Sequence, residues 1–144
     1  MLPDFTDDGL LPPGIHCATL KEFEQRFVYF AHSDQRFRLF EKLRELYQQA
    51  RQSGIVQRFL VGGSFVAAQA EPNDFDCILI LDATVVGREL RPMEYNLVAR
   101  QRARRIYGGD VTAVVEGSTD CHEFMDLFQT TRKQGRVGMV EIEL

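Results

Sequence analysis

The chain has three cysteines, Cys17, Cys77 and Cys121, and no Cys-x-x-Cys pair among them. An odd, widely spaced set of this kind fits a reducing cytoplasm, the compartment expected here. The three histidines do not sit at zinc-ligand spacing, which argues against a structural zinc site. Long apolar runs are also missing. No stretch approaches the roughly 20 residues needed to cross a bilayer, so no membrane association is expected. The opening MLPDFTDDGL is acidic and interrupted by proline, unlike a signal peptide. Positive charge is not in excess. A net charge of −4 argues against indiscriminate binding to DNA or RNA, which is driven by phosphate neutralisation, but it leaves room for a local basic pocket. Internal repeats and low-complexity segments are absent.

What remains is an ordinary globular composition, 44% hydrophobic and 26% charged over 144 residues, enough for one domain with a real core. Residues 1–18, with PDFTDDGLLPPGIH, read as an irregular lead-in. Helices are expected over 19–54. Thr19 and Glu22 make a capping-box pattern before LKEFEQRFVYF. Ser33-Asp34 opens a second helix, in which Phe37, Phe40, Leu43, Tyr47 and Ala50 recur at helical spacing until Gly54. Residues 55–144 read as the core. IVQRFLV (55–61), FDCILIL (75–81), DVTAVVE (110–116) and VGMVEIEL (137–144) are expected strands. SFVAAQ is expected as a short helix, Pro92 opens a helix running to 107, and Asp120 with Glu123 caps CHEFMDLFQTTR. Helices alternating with strands predict an α/β (α+β) fold, a mixed sheet flanked by helices with a helical N-terminal extension.

Two short stretches carry the chemistry. Asp74 and Asp76 flank Phe75 at the head of a strand, so they share one face, about 7 Å apart along the backbone, while Phe75 points into the core. Like charges so placed repel unless a cation lies between them, and magnesium prefers oxygen ligands. Upstream, Gly62-Gly63-Ser64 lies where one strand ends and a helix starts. Glycines there let backbone N–H groups approach an anion, and Ser64 adds a hydroxyl. Taken singly, Asp-x-Asp can be turn chemistry, and Gly-Gly-Ser a tight turn with Ser64 as N-cap. A third acid follows from topology. If strands 75–81 and 111–115 are joined by the helix at 92–107, they lie parallel with their N-terminal ends together. Asp110 then meets Asp74 and Asp76, whereas Asp82 and Glu116 fall at the other end, roughly 20 Å away. The alternative for Asp110 is an acidic residue in the turn after Gly108-Gly109.

Val61-Gly62-Gly63-Ser64, eight further residues, and Asn73-Asp74-Phe75-Asp76-Cys77 together resemble the signature of the DNA-polymerase-β-like nucleotidyltransferase superfamily. The likeness covers about 55–115. The opening LPPGIHCATLKEFEQRF also looks like a small group of bacterial proteins with this core. The resemblance implies a nucleotidyltransferase-like fold and transfer of an NMP from a nucleoside triphosphate. It implies two Mg2+ ions held by Asp74, Asp76 and Asp110 as the catalytic and metal residues, with Gly62, Gly63 and Ser64 at the phosphates. Arg132 and Lys133 are candidate triphosphate neutralisers. Small stand-alone relatives suggest a protein acceptor in a toxin–antitoxin or antiphage setting. Nucleic acid is a less favoured partner.

Two other readings stay open: a catalytically silent module that binds a protein partner as an antitoxin, and a second-messenger or oligonucleotide synthetase. Arg100, Arg102, Arg104 and Arg105 share one helix, with Arg100 and Arg104 stacked. They make either a solvated face or a docking surface. The helix 34–53 is a second candidate partner surface. His16 and His122 read as capping or surface residues, and Cys77 as core filler.

Overall fold

The computed structural model describes residues 2–133 and 135–144. The chain is a mixed α/β protein. Its strands are β1 (Gly14–Ala18), β2 (Val56–Gly62), β3 (Asp76–Leu81), β4 (Asp110–Val115) and β5 (Gly138–Ile142). The helices are α1 (Leu20–Phe27), α2 (Asp34–Ser53), α3 (Pro92–Val98), α4 (Arg100–Tyr107) and α5 (Thr119–Phe128). The strands form one mixed sheet in the order β1-β5-β2-β3-β4. No helix among the described residues is long and apolar enough to cross a membrane.

Helix ends follow local chemistry. Thr19 and Glu22 form the expected capping box at α1. The Ser33 side chain accepts from the N–H of Arg36 at the start of α2, and Gly54 ends that helix in the left-handed conformation.

Alternation along the strands splits the apolar residues between two faces. Phe75, Cys77, Leu79 and Leu81 enter the larger core with Phe59, Val61 and residues of α1 to α4. Ile78 and Ile80 enter a smaller core with Leu60, Val114, Met139 and the apolar side of α5. Asp76 shares the parity of Ile78 and Ile80, and Asp110 that of Val114, so both carboxylates lie on the α5 face.

The connections align the strand ends. β2 and β3 are antiparallel with Gly62 opposite Asp76, and β3 and β4 are parallel with Asp76 opposite Asp110. Gly62, Asp76 and Asp110 therefore stand in a row across three neighbouring strands. The row is fixed by a bond from the Asp110 N–H to the Phe75 carbonyl, 2.9 Å. Gly109 keeps Phe75 in place, because a Cβ there would collide with its ring.

Four local expectations are corrected. Residues 14–18 are not irregular: they form β1, pairing parallel with β5 at the other end of the chain. The helix expected over 92–107 is broken at Ala99, whose ψ is 108°, and neither proline nor glycine marks the break. The cap of α5 is Ser118, which accepts from the Cys121 N–H at 3.1 Å, not Asp120, and the helix stops at Phe128. SFVAAQ contributes only part of a 3-10 turn, Gly63–Val66. The carbonyls of Ser64, Phe65, Ala67 and Gln69 point instead at the guanidinium of Arg36.

Candidate functional site

The end of β2 and the starts of β3 and β4 bound a cavity of about 580 Å³. Gly63, Ser64, Asp76, Asp110 and Arg132 all line it, so five of the residues singled out in the sequence meet at one place. Leu127, Phe128, Thr130 and Thr131 also line it, as do Gln69 and Leu10.

The other three candidates lie elsewhere. Gly62 is a buried strand residue whose Cβ position faces Met139 and Phe128, at 3.5 Å from each. Lys133 lines an adjoining cavity of about 540 Å³ with Arg132 and Arg136. Asp74 sits just ahead of β3, paired with Arg104.

Gly63 needs to be glycine on two counts. Its φ is +75°, and a Cβ would run into the Asp76 carboxylate. Gly63→Ala should therefore cost about 1–3 kcal/mol from backbone strain and displacement of Asp76. Thermal unfolding checks this: a fall of several degrees is expected, and parent-like melting would remove the close approach from the account. The Ser64 hydroxyl, also on the cavity wall, bonds to no protein group among the described residues, and the adjacent turn has no side-chain cap.

Asp76 is the unusual carboxylate. It is half-buried and has no hydrogen-bond or ion-pair partner among the described residues. Burial, then the charges of Asp74 and Asp110, push its pKa up to about 6, against a smaller opposing pull from Arg104 and Arg100. Asp74 and Asp110 do have partners. Arg100 grips Asp110 with two bonds of 2.8 Å, and Arg104 reaches Asp74 at 3.2 Å. The stacked pair on α4 is thus neither a free basic surface nor simply solvated. The break at Ala99 precedes it, and both side chains end on the strand-edge carboxylates. Asp110 in turn holds the Arg100 guanidinium above its ordinary pKa.

Two things follow for a metal ion. Among the described residues, no three His, Cys, Asp or Glu side chains are already gathered around a common point, and two of the three carboxylates carry arginine. The donors are nevertheless all carboxylate oxygens at one sheet edge, and the one left unpaired is destabilised by its like-charged neighbours. That donor set fits a hard divalent cation, which would relieve the repulsion and compete with the arginines.

Sequence reasoning did not find Arg36 or the carboxylate partners of Arg100 and Arg104. A signal for Arg36 existed, since it lies three, four and seven residues before Leu39, Phe40 and Leu43 on the buried stripe of α2. The stripe read from sequence used Phe37 instead, which is 46% exposed.

Residues 3–143 match DUF6932, a family of unknown function. No curated protein and no solved structure matches the chain.

Proposed function

We propose that this chain, which belongs to the DUF6932 family, is a nucleotidyltransferase that moves an NMP from a nucleoside triphosphate to a hydroxyl of a partner protein. One observation carries the reading. An unpaired, half-buried Asp76 faces the same cavity as Gly63, Ser64 and Asp110, in the order that the Gly-Gly-Ser and Asp-Phe-Asp stretches imply. The antiparallel β2–β3 pair and the parallel β3–β4 pair support a nucleotidyltransferase-like arrangement of the sheet.

Under this reading Gly63 and Ser64 take the β and γ phosphates from one side of the cavity, and Arg132 neutralises charge at its mouth. Asp76 and Asp110, with Asp74 once it is released from Arg104, would hold the metal. Two Mg2+ ions bound there would supply charge neutralisation at the triphosphate and polarise its α-phosphorus. The acceptor hydroxyl loses its proton to solvent, its oxygen forms a bond to that phosphorus, the bond from phosphorus to the bridging oxygen breaks, and pyrophosphate leaves. A toxin–antitoxin or antiphage setting in the cytoplasm suits a small enzyme of this kind with a protein acceptor.

The two arginine pairs favour a second reading, a silent module whose carboxylates are permanently neutralised and which binds its partner without chemistry. Incubation of the chain in cell extract with each α-labelled NTP and Mg2+ separates the two. The enzyme reading expects label on the partner, lost by about a thousandfold or more in Asp74→Ala/Asp76→Ala. Thermal stabilisation by the partner with no label from the parent protein would establish the module instead.

A further inference from the structure

Arg36 is a buried cation with no carboxylate. It heads the largest fully buried side chains, with 0% exposure, and no acidic group pairs with it among the described residues. Its guanidinium makes six hydrogen bonds to five main-chain carbonyls. Nη1 donates to Phe27 O at 2.7 Å and Phe65 O at 2.6 Å. Nη2 donates to Ala67 O at 2.7 Å, Gln69 O at 2.6 Å and Ser64 O at 3.3 Å, and Nε to Gln69 O at 3.0 Å. The plane also lies over the rings of Phe30 and Phe65, 4.6 and 5.1 Å from their centroids. Burial pulls its pKa down to about 10, which leaves it charged at neutral pH.

Burying a charge without a counterion is expensive, and an apolar side chain fills space at lower cost. What a guanidinium adds is a rigid fork of donors that fixes several acceptors at once. Four of its five acceptors belong to one segment, 64–69. Within that segment Ser64, Ala67 and Gln69 line the cavity that also holds Asp76. Arg36 thus stands one peptide layer behind the cavity wall.

We propose that Arg36 is the positioning residue of this site: it shapes the 64–69 segment against Asp76 and sets a fixed positive charge behind the wall that receives a polyphosphate. The choice of polyphosphate rests on the nucleotide reading above; the shaping of the segment does not. The residue acts through the segment and touches no substrate.

Two full-length variants test it, Arg36→Gln and Arg36→Lys, with amide hydrogen exchange and calorimetric titration of inorganic tripolyphosphate plus Mg2+ as readouts. Arg36→Gln should exchange about tenfold faster or more across 64–69, with β3 amides unchanged. It should also bind tripolyphosphate about tenfold more weakly or worse. Arg36→Lys keeps the charge but not the fork, so it should regain affinity while the segment stays loose. A residue that only fills space would give the same result for both variants. Equal affinities in the two variants, parent-like exchange at 64–69, or loosening spread evenly over the sheet would overturn the proposal. Should Arg36→Gln not fold, Arg36→Lys alone decides positioning by its exchange at 64–69 against β3. A parent that binds no tripolyphosphate overturns the nucleotide reading and the charge role together, while the exchange contrast still decides the shaping of the segment.

Discussion

Asp76→Asn is expected to melt about 3 °C above the parent at pH 7.5 and to melt with it near pH 4. The folded protein raises the Asp76 pKa from 3.8 to about 6, chiefly by burial and then through Asp74 and Asp110. Between those two values the folded state holds a proton that the unfolded state has lost, so parent stability falls as pH rises through this window. The favourable contribution is complete below about 3.8 and gone above about 6. The whole shift would convert to about 3 kcal/mol, but Asp76 is partly solvated at the cavity wall, and screening leaves about 1 kcal/mol. Asparagine removes the charge and, because the carboxylate has no protein hydrogen bond among the described residues, forfeits no other contact. Thermal scans of both proteins from pH 4 to 8 check the sign. A structural aspartate gives the opposite result, a variant less stable than the parent at neutral pH. A gain in stability on removing a group is the behaviour of a residue kept for function.

Removing the arginines should tighten metal binding. Arg100 and Arg104 occupy Asp110 and Asp74 through ion pairs whose arginines are 61% and 57% exposed. Partly exposed pairs of this kind contribute up to about 1 kcal/mol each, which is too little to exclude a divalent ion but enough to weaken it. Arg100→Ala/Arg104→Ala should therefore bind Mg2+ about tenfold more tightly than the parent by calorimetry. The gain should shrink at about 0.5 M salt, where exposed charges are screened. The same variant should lose stability without Mg2+, since the repulsion of Asp74 and Asp110 on Asp76 is then unopposed. Unchanged or weaker Mg2+ binding would mean that the carboxylates serve the arginines alone, and the silent-module reading would gain.

The parts of the site that the sequence made legible are those set by strand geometry. Phe75 was expected to turn inward and is wholly buried, although the strand begins only at Asp76 and Asp74 stands ahead of it. Asp110 followed from a crossover of two parallel strands, and it stands directly beside Asp76 in the register. Asp82 and Glu116 follow the far ends of the same strands, as that geometry requires. What stayed hidden depended on partners distant in the chain. Gly14–Ala18 is short, follows two prolines and is a strand only because β5 lies beside it. Arg100 and Arg104 read as a stacked pair, but their carboxylates come from positions 110 and 74, which helix periodicity cannot supply. Arg36 was hidden by its charge. A reading that counts apolar residues passes over an arginine on the buried stripe, and only the five carbonyls explain why it is tolerated there.

The proposed activity requires that the carboxylate row and the Gly63–Ser64 wall form one cation-dependent triphosphate site. Calorimetric titration of a non-hydrolysable NTP analogue into the parent and into Asp76→Asn, with and without Mg2+, addresses this directly. The account predicts binding to the parent that requires Mg2+ and is lost in Asp76→Asn. Binding that ignores Mg2+, or that survives the substitution unchanged, would contradict it, as would a folded parent that takes up no analogue at all.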